Sequence, residues 1–443
     1  MHRNPTSVST KQERIATLAR QSPRMAFTSL AYQMDMAWLT EAFYRTRKNG
    51  AVGVDGQTWH EYEQNLEANL QSLLERAKSG TYRAPPVKRV YIPKAGDPTQ
   101  KRPIGIPTLE DKVLQRAVVM LLGPIYEQDF HPGSHGFRPG RGAHGALEDL
   151  WQRLMNTDGG WVLEVDISKF FDTLDHKHLR ELVQLRVRDG VILRLIGKWL
   201  NAGVMEDGAI SHPDSGSPQG GVISPLLANI YLHYVLDGWF KSEVLPRMAG
   251  KAYLIRYADD FVIGFTDQSD AKRVMEVLPK RFEKYGLKLH PTKTRLVRFN
   301  KPDDQDQGSG ESQSFDLLGF THYWGRSKRG AWVVRRKTSG KRLTRALAGI
   351  REWCRANLHK PLGEQQRVLG QKLRGHCAYY GITGNGNALA AFRSRVQEIW
   401  RHWLNRRNRE RSMTWERFKL LLARYPLPSA IAIHSLWRRT ANP

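Results

Sequence analysis

A pair of adjacent acidic residues, Asp259 and Asp260, stands between two short apolar runs at 253–255 and 261–263. Both runs are rich in aromatic and β-branched residues, which favours buried strands. The pattern predicts a hairpin that lifts the two carboxylates out of a hydrophobic sheet. Neighbouring acids repel each other, and a divalent cation such as Mg²⁺, which takes carboxylate oxygens and substrate phosphates, would remove that cost. An Asp–Asp dipeptide alone more often marks a solvated turn, so the assignment depends on the rest of the chain.

A third acid follows a similar run. The apolar segment 161–165 ends at Asp166, and a polar turn comes next. Together with Asp259 and Asp260, Asp166 would place three acids at strand ends of one sheet. Such a site suits two divalent ions roughly 3.5–4 Å apart, as in polymerases and nucleases. Phosphoryl transfer there depends on positioning and charge neutralisation, so a histidine base is not required.

The order of the motifs along the chain resembles that of reverse transcriptases. Tyr257-Ala258-Asp259-Asp260 is similar to the signature of the catalytic palm, and Asp166 stands upstream of it with an aromatic residue five positions later. The resemblance covers most of 50–320, in the form typical of group II intron-encoded proteins. Its other blocks are the Gln-Gly segment 215–229, the segment 285–294, the hairpin 315–320, and 92–94 with 101–107 upstream.

The resemblance implies an α/β right-hand polymerase, with fingers and a palm built on a mainly antiparallel sheet, followed by an α-helical thumb or maturase domain. Residues 1–24 are polar and predicted to be loosely held, with helices at 25–47 and 57–80. Strands are predicted at 87–93 and 103–107, and thumb helices at 340–358, 364–380 and 388–408. The predicted domains are an N-terminal extension (1–50), fingers (51–155), palm (156–325), thumb (326–425) and a C-terminal tail (426–443).

The resemblance also assigns roles to individual residues. The ring of Phe171 would fill the space of a ribose 2′-hydroxyl, whereas its neighbour Phe170 is expected to face the core, because adjacent strand residues point opposite ways. Lys293 would either approach the triphosphate or act as an ordinary helix-end cation. The predicted catalytic residues are Asp166, Asp259 and Asp260, the metal ligands are these three with Ile167, and the nucleotide-binding residues are Lys94, Arg102, Phe171, Gln219, Gly220 and Lys293.

The charge of the chain is concentrated towards its C-terminus. The formal net charge is +26, and residues 321–443 carry 27 lysines and arginines against 5 acids. Such an excess indicates a polyanionic partner. A glycine-rich loop at 131–142 adds backbone N–H groups and arginines that could grip phosphates. The predicted nucleic-acid contacts are Arg138 and Arg141 in this loop and Arg374, Arg395, Arg406 and Arg407 in the thumb.

The predicted function is RNA-directed DNA synthesis by a protein that binds its group II intron RNA, assists splicing and copies the intron into DNA during retrohoming. The implied cofactors and substrates are two Mg²⁺ ions and deoxynucleoside triphosphates. The implied partners are the intron RNA, an RNA template with a DNA primer, and target DNA; the oligomeric state is left open. Two alternatives remain: a related enzyme recruited to phage defence or CRISPR adaptation, and an RNA-binding splicing cofactor with a vestigial polymerase.

Several protein classes are excluded or disfavoured. Cys354 and Cys377 are the two cysteines, too few for a four-cysteine zinc site or a disulfide framework. No apolar run approaches the ~20 residues that span a membrane, and the N-terminus lacks a secretory apolar core. We therefore expect a cytoplasmic protein of bacterial type, without a membrane partner. The short form of the family, without an endonuclease, is also expected.

Overall fold

The computed structural model describes residues 5–94, 97–206, 209–211, 220–302, 313–327, 329–407 and 412–434, apart from the side chains of residues 94, 97–100 and 210. The chain divides into two compact units. The larger unit comprises Met1–Leu150 with Leu163–Leu296, and the C-terminal unit comprises Trp151–Val162 with Val297–Pro443. This division places residues 297–325 with the helical C-terminal region, whereas the sequence analysis counted them as palm.

The elements follow one another along the chain as a mixture of helices and short strands. The helices are α1 (Pro5–Gln21), α2 (Met36–Tyr44), α3 (Trp59–Gln64), α4 (Leu66–Ser79), α5 (Leu109–Asp129), α6 (Ala143–Asn156), α7 (His176–Gln184), α8 (Gly190–Leu200), α9 (Ser224–Leu232), α10 (Gln268–Glu283), α11 (Gly340–Ala356), α12 (Leu362–Tyr380), α13 (Gly386–Arg407) and α14 (Trp415–Arg424). The strands are β1 (Val87–Lys94), β2 (Asp97–Ile106), β3 (Trp161–Val165), β4 (Val204–Glu206), β5 (Ala209–Ser211), β6 (Ala252–Tyr257), β7 (Asp260–Phe265), β8 (Arg295–Arg298), β9 (Phe315–Leu317), β10 (Phe320–Arg326) and β11 (Trp332–Thr338).

The N-terminal segment is helical, and the expectation that residues 1–24 are loosely held is wrong for α1. This helix buries Val8, Ile15 and Ala19 and packs against α5. The three residues lie seven and four positions apart, so they share one face of a helix that is otherwise polar. A narrow apolar stripe is therefore enough to dock the helix.

The two predicted N-terminal helices are each interrupted. In place of one helix over 25–47, a 3₁₀ turn at Leu30–Gln33 precedes α2. The Asp35 side chain accepts a hydrogen bond from the Trp38 N–H and so begins α2. The predicted helix over 57–80 is split at Asn65 into α3 and α4. Helix α3 begins with a capping box between Thr58 and Glu61. This pair of hydrogen bonds satisfies N–H groups that a helix end leaves unpaired.

Two four-stranded sheets organise the larger unit. The first has the order β2-β1-β4-β5, in which β1 and β2 pair antiparallel as predicted. The second has the order β6-β7-β3-β8, and its β6 and β7 form an antiparallel hairpin. Phe261, Val262 and Ile263 are buried in β7, so an apolar hairpin carries the two acids at its turn. The predicted hairpin is confirmed.

The C-terminal unit contains a three-stranded antiparallel sheet of order β11-β10-β9. The predicted helices over 340–358, 364–380 and 388–408 are confirmed as α11, α12 and α13. Their core includes Phe392, Val396 and Trp400, which repeat at helical spacing on α13, together with Phe418 of α14. The mixed α/β character and the helical C-terminal region agree with the predicted fold class. Of the helices that the structure describes, none is long and apolar enough to cross a membrane.

Candidate active site

The turn between β6 and β7 presents the paired acids. Tyr257 and Asp260 face each other across the hairpin, and Ala258 has a φ of 58°, which is uncommon for a residue other than glycine. Asp259 is half-buried and Asp260 is exposed. The Arg256 guanidinium donates a 3.0 Å hydrogen bond to the Ala258 carbonyl. A buried cation therefore stabilises the backbone directly before the acids.

The glycine-rich loop at 131–142 packs against this hairpin. The Arg256 N–H donates to the Gly133 carbonyl and the His135 N–H donates to the Arg256 carbonyl, both at 2.8 Å. A Cβ at Gly136 would lie 2.3 Å from the Ala258 nitrogen. Gly133 and Gly136 thus allow the loop backbone to approach the hairpin backbone closely. This packing explains both glycines without a phosphate-binding role.

Arg138 requires a correction to the sequence analysis. Its side chain is 4% exposed and forms a 3.0 Å ion pair with Glu127. It also donates to the carbonyls of His131 and Ser134 at 2.9 and 2.8 Å. Arg138 thus holds the loop closed from inside, which argues against a template contact. Arg141 is exposed, so it is the arginine of this pair that a phosphate backbone could reach.

Asp166 lies directly after β3, as predicted. Its carbonyl accepts a 2.8 Å hydrogen bond from the His290 N–H, and the Ser168 N–H donates to the Lys288 carbonyl at 2.8 Å. Ile167 lies between these two residues and is buried. It is bridged to Leu289 through hydrogen bonds made by the backbones of its neighbours, so its own carbonyl is not used in this bridge. That carbonyl suits the predicted role of Ile167 as a backbone metal ligand.

Lys293 lies beside the Asp166 carboxylate. Its Nζ is 2.7 Å from Oδ2 of Asp166, and both side chains remain partly exposed. The sequence left a triphosphate contact and a helix-end cation open for Lys293. The structure shows a third arrangement, in which the lysine forms an ion pair with one of the predicted catalytic acids.

The charges around Asp259 interact. Burial raises the pKa of Asp259, and the negative charge of Asp166 raises it further, whereas the positive charges of Arg102 and Arg256 lower it. Within the described residues, no three acidic, histidine or cysteine side chains form a preformed metal cage. Mg²⁺ in phosphoryl-transfer sites is held by one or two carboxylates plus substrate phosphates, so a full protein cage is not needed. The carboxylate set fits such an ion, because a divalent cation would offset the repulsion between Asp166 and Asp259.

Strand β2 carries Arg102 and is approached by Gly220. Arg102 is exposed on β2. Gly220 has a φ of 118°, and a Cβ there would lie 2.4 Å from the Gly105 carbonyl oxygen on the same strand. Only glycine fits this position. Gln219 and the side chain of Lys94 lie outside the described residues.

Phe170 and Phe171 differ in burial as the sequence predicts. They are the first two residues of a short 3₁₀ turn at Phe170–Asp172. Phe170 is 2% exposed, whereas Phe171 is half-buried, and the two rings meet edge to face with centroids 5.2 Å apart. Phe171 therefore keeps part of its ring accessible to solvent; its role in sugar selection stays a prediction.

Sequence reasoning missed a buried network that anchors the segment after Gly220. Asp111 on α5 accepts hydrogen bonds from the Tyr82 hydroxyl at 2.8 Å and the Trp199 indole at 2.6 Å. Gln115 donates to Asp111 at 3.0 Å and accepts from the Ile223 N–H at 3.2 Å. Burial raises the pKa of Asp111 to about 6. The sequence signal that could have predicted this network is the spacing of Asp111 and Gln115, four residues apart on an apolar helix, because buried polar side chains need hydrogen-bond partners.

The predicted thumb cations are exposed on the C-terminal unit. Arg395 pairs with Glu398 at 2.9 Å, and the guanidinium of Arg406 lies 5.5 Å from the ring centre of Trp403. Arg407 donates to the Lys360 carbonyl at 3.0 Å. Arg374 on α12 is also exposed.

Two family models match this chain over separate segments. Residues 92–322 match the reverse transcriptase (RNA-dependent DNA polymerase) model, which includes all three acids. The chain belongs to the reverse transcriptase family. Residues 343–421 match the group II intron maturase-specific domain, which covers α12 and α13. The predicted resemblance to group II intron reverse transcriptases is confirmed.

Relatives of this reverse transcriptase include intron proteins. It is 36% identical over 288 residues to protein YkfC of Escherichia coli K12, covering 58% of this chain and 75% of YkfC. It is 44% identical over 169 residues to the group II intron-encoded protein LtrA of Lactococcus lactis, covering 38% of this chain and 27% of LtrA. An uncharacterised 91 kDa protein in the cob intron of Schizosaccharomyces pombe is 24% identical over 386 residues, or 73% of this chain and 47% of that protein. The matches thus span about a quarter of LtrA and about half of the yeast protein.

Proposed function

We propose that this reverse transcriptase copies RNA into DNA at Asp166, Asp259 and Asp260, and that its basic C-terminal unit binds a group II intron RNA. The observation that supports the catalytic part most strongly is the apolar β6–β7 hairpin, which carries two acids at its turn within electrostatic range of Asp166. Buried strands here present carboxylates that repel one another. A bound divalent cation would offset that repulsion and would also bind the phosphate groups of a substrate.

Two Mg²⁺ ions would be held by the three carboxylates, with the Ile167 carbonyl as a further ligand. They would supply charge neutralisation while the primer 3′-hydroxyl displaces pyrophosphate from the incoming nucleotide. The protein's own task is to place the substrates. Arg102 offers a guanidinium to the triphosphate, since such groups bind phosphate oxygens in pairs. Gly220 lets the backbone approach the nucleotide closely, and the Phe171 ring would exclude a 2′-hydroxyl.

Lys293 has two tasks in this scheme. Its ion pair with Asp166 offsets the repulsion among the acids. Its partly exposed ammonium group can also turn towards a triphosphate, because a lysine side chain is a flexible point charge. These tasks explain why a cation stands beside a catalytic carboxylate.

The finer architecture is proposed by family likeness. The sheet of β1 and β2 with its helices would form the fingers, the β6-β7-β3-β8 sheet the palm, and α11 to α13 the thumb. The basic thumb favours intron binding, splicing assistance and retrohoming into target DNA over recruitment to phage defence. The presence of all three acids favours an active polymerase over a vestigial one.

Two assays test the proposal. Purified protein should extend a DNA primer on an RNA template with deoxynucleotides and Mg²⁺, and omission of the metal should stop synthesis. RNA copurified with the protein should, when sequenced, contain a group II intron. Protein that extends no primer on RNA would contradict the polymerase, whereas copurified RNA without intron sequence would contradict the maturase role.

A further inference from the structure

A groove on the larger unit lies between α7, α8 and the segment at 82–86. It consists of two cavities of about 330 and 530 Å³. Arg180, Gly197 and Asn201 line both cavities, so the two form one continuous depression. None of the predicted catalytic, metal-ligating or nucleotide-binding residues lines it.

The groove is strongly basic. Its walls carry Arg83, Lys177, Arg180, Arg194 and Lys198. Against these five cations, one acidic residue, Glu181, lines the groove. Three of the cations, Arg83, Arg180 and Arg194, are exposed and have no ion-pair partner among the residues that the structure describes. A concave surface lined by unpaired charges of one sign raises the local concentration of anions.

Gly197 keeps the floor of the groove open. It lies inside α8, where glycine costs about 1 kcal/mol relative to alanine. No packing contact demands it, because a Cβ there would meet no other atom within 4 Å. Arg194 and Lys198 flank it on the same helix face, three residues before and one after. The missing side chain leaves room between the cations for a ligand.

We propose that this groove binds the sugar–phosphate backbone of an RNA strand, as a second RNA surface distinct from the basic C-terminal unit. The proposal rests on the proposed function, which supplies RNA as the partner. The stretch from Arg194 on α8 to Asn201, the residue that ends this helix, is roughly 10 Å long at 1.5 Å per residue, so it can follow more than one phosphate. Arginine suits phosphate, since its planar guanidinium donates two parallel hydrogen bonds.

The test measures binding of a fluorescein-labelled single-stranded oligouridylate by anisotropy at several salt concentrations. The groove variant combines Arg83→Gln, Arg180→Gln and Arg194→Gln. The matched control removes the same charge elsewhere on this unit by Lys241→Gln, Lys272→Gln and Lys280→Gln, three exposed lysines that do not line the groove. A third protein carries Gly197→Leu, which keeps every charge and fills the floor.

The groove variant should bind about ten-fold more weakly, which corresponds to the removal of one charge-assisted hydrogen bond. Its salt slope should fall by about 0.7 for each phosphate that the protein no longer neutralises. Gly197→Leu should also weaken binding, without loss of thermal stability. The control should bind like the wild type, and all four proteins should extend a saturating primer–template equally.

Four outcomes would count against the proposals. Unchanged binding in the groove and Gly197→Leu proteins would overturn the groove proposal alone, as would an equal decrease in the control. Binding of poly-L-glutamate instead of oligouridylate would overturn RNA in favour of an acidic protein. A wild-type protein that neither binds RNA nor extends primers would overturn both the groove and the proposed function.

Discussion

The Arg256 guanidinium lies 2.6 Å from the Asp237 carboxylate, and neither side chain reaches solvent. The same guanidinium donates to the Asn229 side chain and to the Ala258 carbonyl, both at 3.0 Å. Ala258 immediately precedes Asp259. A buried ion pair therefore positions the turn that carries the two predicted catalytic acids, Asp259 and Asp260.

Replacing Arg256 should damage both stability and activity. Arg256→Met leaves Asp237 buried without its partner, which costs about 3–5 kcal/mol of the free energy of unfolding. It also removes the donor to Ala258, so primer extension should decrease even where the protein is still folded. Urea unfolding and primer extension at low temperature measure the two effects.

Arg247 provides the matched control for Arg256. It pairs with Glu243 on the surface, with both side chains more than half exposed. Arg247→Met should change the free energy of unfolding by less than about 1 kcal/mol. Equal decreases in the two variants would mean that the buried pair has no special role.

The identity of the sugar should be selected by Phe171. Phe171→Ala removes the ring that is proposed to exclude a 2′-hydroxyl and should raise the kcat/KM for ribonucleotides relative to deoxynucleotides. Phe170→Ala should instead lower the free energy of unfolding by about 3–5 kcal/mol, because its ring is buried. An unchanged sugar ratio in Phe171→Ala would place the selecting residue elsewhere.

The exposed thumb arginines should contribute to the salt dependence of intron RNA binding. The combined variant Arg395→Gln, Arg406→Gln and Arg407→Gln should lower the slope of log K against log salt by about 0.7 for each phosphate that is no longer neutralised. Arg395 pairs with an exposed side chain, Arg407 with a backbone carbonyl, and exposed Arg406 with the half-buried ring of Trp403, so the fold should be retained. Filter binding across a salt series measures the slope, with the Lys241, Lys272 and Lys280 variant as the control for charge. Retention of both affinity and slope would remove the physical support for RNA binding by this face.

Acid should destabilise the protein in part through His322. Its ring is fully buried and stacks on Phe315, with centroids 4.7 Å apart. Burial and the charge of Arg336 lower the pKa of His322 to about 3. In the unfolded chain His322 is protonated below about pH 6.5, whereas in the folded chain it stays neutral down to about pH 3. The free energy of unfolding therefore falls by ~1.4 kcal/mol per pH unit as the pH decreases between these values.

His322→Phe removes this proton uptake and keeps a ring against Phe315. Between pH 7 and pH 5, its free energy of unfolding should fall by about 2 kcal/mol less than that of the wild type. His402→Gln changes an exposed histidine of the same unit and should retain the wild-type pH dependence. A His322→Phe protein with the wild-type pH dependence would contradict the assignment.

The sequence predicted features that depend on local patterns. The β6–β7 hairpin, the position of Asp166 after β3 and the three long helices of the C-terminal unit follow from apolar periodicity. The difference in burial between Phe170 and Phe171 was predicted from the alternation of faces in a strand, but the two residues lie in a 3₁₀ turn, so the prediction was right for a different physical reason. Each of these features depends on residues close together in the chain.

Features that depend on distant partners were missed. Arg138 was predicted to contact phosphate because it stands in a glycine-rich loop whose backbone N–H groups and arginines could grip phosphates, but its buried side chain pairs with Glu127 on α5. The pairing of Lys293 with Asp166 joins residues 127 positions apart. α1 escaped detection because three apolar residues are few for its length. In each case the side chain is visible in the sequence, but the partner that decides its role is not.

The central claim is that Asp259 belongs to a polymerase active site. The most direct test is the rate of primer extension on an RNA template, with Mg²⁺, by Asp259→Asn, which keeps the size of the side chain and removes its charge. Asp158→Asn is the control, since this acid is exposed and its φ of 49° suits asparagine. We expect the rate to fall about 10²–10³-fold for Asp259→Asn, the scale seen when one group that stabilises the transition state is removed, with RNA affinity and the control unchanged. Wild-type extension by Asp259→Asn would contradict the account.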